Sequence, residues 1–173
     1  MFRPAYSEEG NVTELFFWSG EVLAKAYDRR TLPSVRRALA RSYALDLSAQ
    51  AKDLKKKINR CSPTPICLPD GRVFVPLKMR RPRITGDSTY GYADTAYIRS
   101  VQQTGVQVNL LLEGGEEVAL FTSAATAMNI INLGKTMTGN FAPPVENERE
   151  KILNALSLLV DKLYRIEELS RGC

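Results

Sequence analysis

Histidine is absent from the 173 residues. That removes the commonest general base, the usual base of a catalytic triad and the commonest transition-metal ligand. Cysteine is scarce. Cys61, Cys67 and Cys173 are an odd set, too few for a disulfide scaffold. Five residues separate Cys61 from Cys67, and no second pair follows, so no zinc site is expected. No apolar run approaches the ~20 residues of a membrane span. Met1 to Glu9 lacks both the basic and the apolar parts of a secretory signal. These absences predict a cytoplasmic chain with free thiols and no membrane partner. Phosphate-loop chemistry is also missing. Gly114-Gly115 is followed by no Lys-Ser/Thr, and there is no G-x-G-x-x-G. The adjacent carboxylates Glu116-Glu117 and Glu167-Glu168 have no partner placed beside them. The chain is therefore expected not to be an enzyme, with no catalytic residues, cofactor, metal or small-molecule substrate.

What is present is positive charge, unevenly spread. The chain carries 24 Lys/Arg and 19 Asp/Glu, net +5. Between Lys25 and Arg83 stand 16 basic and four acidic residues, net +12, while the rest of the chain is net −7. A contiguous third of the chain thus favours polyanions and speeds their encounter. Pairing of these cations with the acidic flanks is the alternative, and such surface pairs are weak. Composition is otherwise that of a folded protein, 44% hydrophobic and 25% charged.

Val12 to Trp18 and Glu21 to Tyr27 predict a hairpin turning at Ser19-Gly20, with Val22, Ala24 and Ala26 on one face. Pro33 suits the first turn of a helix, and Val35, Leu39 and Tyr43 form one apolar stripe. A helix from Pro33 to Leu45 would present Arg37 and Arg41 outward, with Arg36 at the edge. Leu47 to Arg60 reads either as a helix on Ala51, Leu54 and Ile58 or as a basic loop, crowded with Lys52, Lys55, Lys56 and Lys57. Ile66 to Leu68 and Arg72 to Leu77 predict strands around the turn Pro69-Asp70-Gly71. Lys78 to Arg83 reads as a basic loop, and Thr85 to Asp94, with Tyr90 and Tyr92, as an exposed one. Ala96 to Val101, Val106 to Leu112 and Glu116 to Phe121 predict a three-stranded meander. Ser123 predicts the cap of a helix from Ala124 to Leu133, ended by Gly134. Thr138 to Pro144 reads as a linker. Beyond it Ile152, Leu156, Leu159, Leu163 and Ile166 step at heptad spacing on a helix from Val145 to Leu169.

The expected architecture is α+β, a mainly antiparallel sheet with a basic helix, plus a C-terminal amphipathic helix. The domain spans 1–138; residues 139–173 hold the linker and that helix. The helix is either a homodimerisation element or packs its stripe on its own domain.

Phosphate contacts want Arg and Lys on one connected surface. Three groups qualify: Arg36, Arg37 and Arg41 on the helix; Lys55, Lys56 and Lys57 in the ambiguous stretch; Arg80, Arg81 and Arg83 in the loop. Arg-Arg-Pro-Arg suits a narrow minor groove. Aromatic interleaving is poor, which favours duplex over single strands.

The order Ser42-Tyr43, a basic segment ending Lys57-Ile58, Pro65-Ile66, Val73-Phe74-Val75-Pro76-Leu77 and Arg81-Pro82 resembles the central part of the ComK-type competence transcription factors. Tyr97-Ile98, the strand running into Gly114-Gly115 and the Ser123 segment continue the correspondence, over roughly Gly20 to Leu133. The family's Gly-Ser-Ser-Tyr is Ala40-Arg41-Ser42-Tyr43 in this chain. The resemblance implies a DNA-binding activator of competence genes, oligomeric, on A/T-rich sites read through the minor groove. The expected partner is double-stranded DNA. The alternatives are a non-enzymatic adaptor working through the heptad helix, and an RNA-binding protein.

Overall fold

Residues 1–8, 10–58 and 63–141 are described by the computed structural model. The chain divides into two units, Met1–Ala142 and Pro143–Cys173. The second unit lies outside the described residues, and with it the expected heptad helix and any dimerisation through it.

The first unit is α+β, as the sequence predicts. It runs β1 (Phe2–Ser7), β2 (Gly10–Ser19), β3 (Val22–Asp28), α1 (Leu32–Ser42), α2 (Leu47–Ile58), β4 (Ile66–Cys67), β5 (Val73–Lys78), β6 (Tyr90–Asp94), a 3-10 turn at Thr95–Tyr97, β7 (Ile98–Thr104), β8 (Gln107–Leu112), β9 (Glu117–Leu120) and α3 (Ala124–Phe141). Six strands form an antiparallel sheet in the order β3-β2-β1-β6-β5-β4, and a second sheet is the expected meander β7-β8-β9. The first hairpin pairs Ser19 with Val22, so its turn is Gly20-Glu21, one residue later than expected.

Strand β5 is buried along its whole length except at Lys78. Alternation sends Val73, Val75 and Leu77 into a layer shared with α3 and the meander. Phe74 faces the other way, into a layer with Phe2, Tyr92 and the α1 residues Leu32 and Val35. Pro76 is tolerated in this central strand because β4 pairs only with Val73 and Phe74. Its missing N–H falls on the side away from β6, so the ladder loses nothing.

Segment 85–94, expected as an exposed loop, ends instead in β6, an interior strand between β1 and β5. Tyr92 is only 2% exposed and stacks on Phe2 with ring centroids 5.3 Å apart. The loop signal of Gly86, Asp87 and Gly91 is overridden from Tyr90 onward by pairing with β5 across five residue pairs.

The ambiguous basic stretch is a helix. The Asp46 carboxylate accepts from the Ser48 and Ala49 amides at 2.8 and 3.0 Å, an N-cap that starts α2. Lys55, Lys56 and Lys57 gather in the last turn, where the helix dipole favours cations. Gln50 clasps Cys67, donating to its carbonyl at 2.7 Å and accepting from its amide at 3.0 Å.

Ser123 caps α3 through the Thr126 amide at 3.2 Å. Gly134 does not end that helix, which continues through Thr138, the expected start of the linker, to Phe141. A Cβ at 134 would stand 2.3 Å from Val75 Cγ1 and 2.7 Å from Thr95 Cγ2. The glycine lets α3 lie against β5.

Two outcomes follow from this packing. Gly134→Ala gains about 1 kcal/mol of helix propensity but overpacks the contact with β5 at a cost of about 1–3 kcal/mol. A lower urea midpoint is expected, and a higher one would contradict the close approach. Burial pushes the Cys67 thiol up to about 11. In a Cys61→Ser, Cys173→Ser background, Cys67 should resist a thiol reagent at mildly alkaline pH until the chain is unfolded.

Candidate nucleic-acid interface

The basic loop leaves β5 at its end and returns as β6. The Met79 and Arg80 amides donate to the Thr89 carbonyl at 2.9 and 3.2 Å, which closes its neck. Tyr6, at the end of β1, stands beneath it. The guanidinium carbons of Arg80 and Arg83 lie 4.1 and 3.9 Å from the Tyr6 ring centroid.

Asp87 ties the loop together. It accepts from the Tyr6 hydroxyl, from the Arg83 and Ile84 amides at 2.9 and 3.2 Å, and from the Asn11 side chain at 3.0 Å. The Tyr6 hydroxyl above all, with the Arg83, Asn11 and Ile84 donors, holds the Asp87 carboxyl far below the usual carboxylate range.

Arg80, expected to contact DNA, points inward instead. It is 9% exposed and donates to the Ala5, Asn11 and Ser88 oxygens at 3.2, 3.0 and 3.0 Å. Asp87 lies 3.9 Å away. Its role in the structure is to anchor the loop. Arg81 and Arg83 are exposed. Arg81 sits 5.4 Å over the Phe121 ring.

On α1 the apolar stripe packs as expected, and Arg37 and Arg41 are exposed one turn apart. Arg36 is half-buried and lies against the sheet, donating to the Tyr92 hydroxyl at 3.2 Å. A groove of about 160 Å³ has Thr31 and Pro33 on one side and Gly86, Asp87 and Ser88 on the other. It brings the first turn of α1 beside the basic loop. Arg37 folds back toward that end, its Nε 3.4 Å from the Pro33 carbonyl.

The α2 lysines form a separate group. Helix α2 packs on β4, the outermost strand, whereas α1 packs on β1 and β2. Lys55, Lys56 and Lys57 are exposed. Lys57 stands seven residues after Gln50 on the stripe facing β4, where its charge acts on the Cys67 thiol.

Among the described residues some of these cations are paired and others are not. Arg30 pairs with Asp28 at 2.5 Å and Arg72 with Asp70 at 2.7 Å. Lys25 reaches Glu116 at 2.5 Å. Among the described residues no carboxylate lies within 4 Å of Arg37, Arg41, Lys52, Lys55, Lys56, Arg81 or Arg83. Within that range the described acidic residues therefore do not neutralise them. Also among the described residues, no cluster of metal-ligating side chains occurs and no helix is long and apolar enough to cross a membrane.

Tyr6, Asn11 and Asp87 were not singled out from the sequence. Tyr6 and Asp87 are 81 residues apart, and neither carries a local signal of their meeting. No family model matches the chain, and the curated proteins and solved structures give no match either.

Replacing Asp87 by Asn should loosen the loop, seen as faster hydrogen exchange at the Arg83 and Ile84 amides with α3 unaffected. The Asp87 carboxyl titrates lower folded than unfolded. Its stabilisation is therefore complete above the unfolded value of about 4 and is lost as pH falls through the folded one. The stability gap between wild type and Asp87→Asn should narrow on acidification, and a constant gap would contradict the network.

Proposed function

We propose that this chain is a cytoplasmic transcription regulator that binds A/T-rich duplex DNA through the outward arginines of α1 and the basic loop. The observation that carries the reading is the set of exposed cations with no carboxylate neighbour among the described residues. Phosphates supply the charge they lack, and released counterions supply the free energy. Arg37, Arg41, Arg81 and Arg83 are the primary contacts, because they are exposed on α1 and on the loop beside its first turn. Lys55, Lys56 and Lys57 extend the footprint along the outer edge of the sheet. Arg36 and Arg80 position elements rather than touch DNA. The ordered likeness to ComK-type factors supports activation of competence genes as the biological setting.

Two double variants test this reading. Arg37→Ala with Arg41→Ala, and Arg81→Ala with Arg83→Ala, should each weaken duplex binding about tenfold or more. Each should also reduce the log–log salt slope by about two. Arg80→Ala should lower stability by about 1–3 kcal/mol through the partners it abandons. Unchanged affinity and slope in both double variants would overturn the assignment.

A further inference from the structure

We propose that the β7–β8 hairpin is a second DNA-contact element, which inserts Val106 into the minor groove of a duplex held by the basic loop. This rests on the duplex-binding reading above and adds to it the element that would deform the DNA.

The hairpin closes through Thr104 and Gln107 over the two-residue turn Gly105-Val106. Gly105 has φ +60°, the conformation that makes glycine favoured at the first central position of such a turn. Val106 then stands at the tip, fully exposed at 102%. Below it Gln102, Gln103, Thr104 and Gln107 are exposed, while Val108, Leu110 and Leu112 are buried and root the arm in the core. From Ile98 to Leu112 there is no carboxylate, and Arg99 is the one charged residue.

A lone exposed valine needs no partner. Val106 stands out by what surrounds it. A groove of about 620 Å³ runs between the hairpin and the end of β5. Lys78 and Arg81 line one side, Gln103 and Gln107 the other, with Phe121 between them. The Phe121 amide donates to the Lys78 carbonyl at 2.8 Å, fixing the two sides relative to each other. The glutamine amides are held close to the arm, Gln103 on the Gly105 carbonyl at 3.0 Å, and Gln107 on Asn109 at 3.1 Å and the Val108 carbonyl at 3.3 Å.

Arg81 belongs both to this groove and to the basic loop, so a duplex on the loop passes the hairpin. Minor-groove edges of A/T pairs offer only acceptors, which the second N–H of the Gln103 amide suits. An apolar tip between two cations and a polar arm is the composition of a wedge that unstacks one base step. No aromatic residue lies between Ile98 and Leu112, so the arm offers no stacking platform for single strands.

The test uses full-length protein and an alternating A/T duplex carrying 2-aminopurine, with oligo(dT) as the single-strand arm. Wild type should raise the 2-aminopurine fluorescence on binding. Val106→Asp and Val106→Ser should melt as wild type does, since the side chain touches nothing. Val106→Asp should lose about tenfold or more in duplex affinity, both variants should lose the fluorescence rise, and Val106→Leu should keep it. If both polar variants bind and unstack like wild type while the Arg81/Arg83 variant fails to bind, the hairpin inference is wrong and duplex binding stands. If wild type ignores the duplex, or prefers oligo(dT), both readings fall.

Discussion

A strand buried on both faces imposes the constraint on which this structure depends. Strand β5 must supply apolar side chains to two layers at once, Val73, Val75 and Leu77 to one and Phe74 to the other. Its alternation does not stop where the strand ends. Met79 continues the odd-numbered face into the core, and Arg80 continues the even-numbered face onto Tyr6. The register of a hydrophobic strand thus decides which loop arginine is buried. Only from Arg81 onward does the chain leave the sheet and present charge to solvent.

That arrangement answers a physical problem. Three arginines within four residues repel one another, and a free loop of this composition would lose much conformational entropy on meeting a phosphate. Here the ordering is done in advance. Asp87 collects four donors beneath the loop, and Tyr6 takes two guanidinium groups over its ring. One arginine and one aspartate are spent internally so that Arg81 and Arg83 stand on a defined scaffold. Helix α1 is held beside it by the packing of Leu32 and Val35, and Arg36 stands over the Tyr92 ring.

Where structure follows from local pattern, the sequence was legible. The period of Val35, Leu39 and Tyr43, the proline at the start of α1, the alternation of the meander and the Ser123 cap all lie within a few residues of what they determine. Strand β1 was not legible, because Phe2–Ser7 carries a proline and an arginine and owes its strand to its neighbours. The same holds for Tyr90–Asp94, whose Gly91 suggests a loop until β5 lies beside it. Gly134 misleads for a related reason: a glycine needed for close packing looks like one that stops a helix. For the interface, the excess of charge and its three groups were readable from composition. Which arginine turns inward was not, since Tyr6 and Asn11 lie far from Arg80 in sequence.

The account rests finally on charge that no described carboxylate pairs. The salt dependence of duplex binding by the wild-type chain tests it most directly. Each neutralised phosphate contributes about 0.9 to the slope of log affinity against log salt, so four outward arginines predict a straight line with a slope of at least about −3. A slope near zero, or no measurable association at low salt, would contradict it.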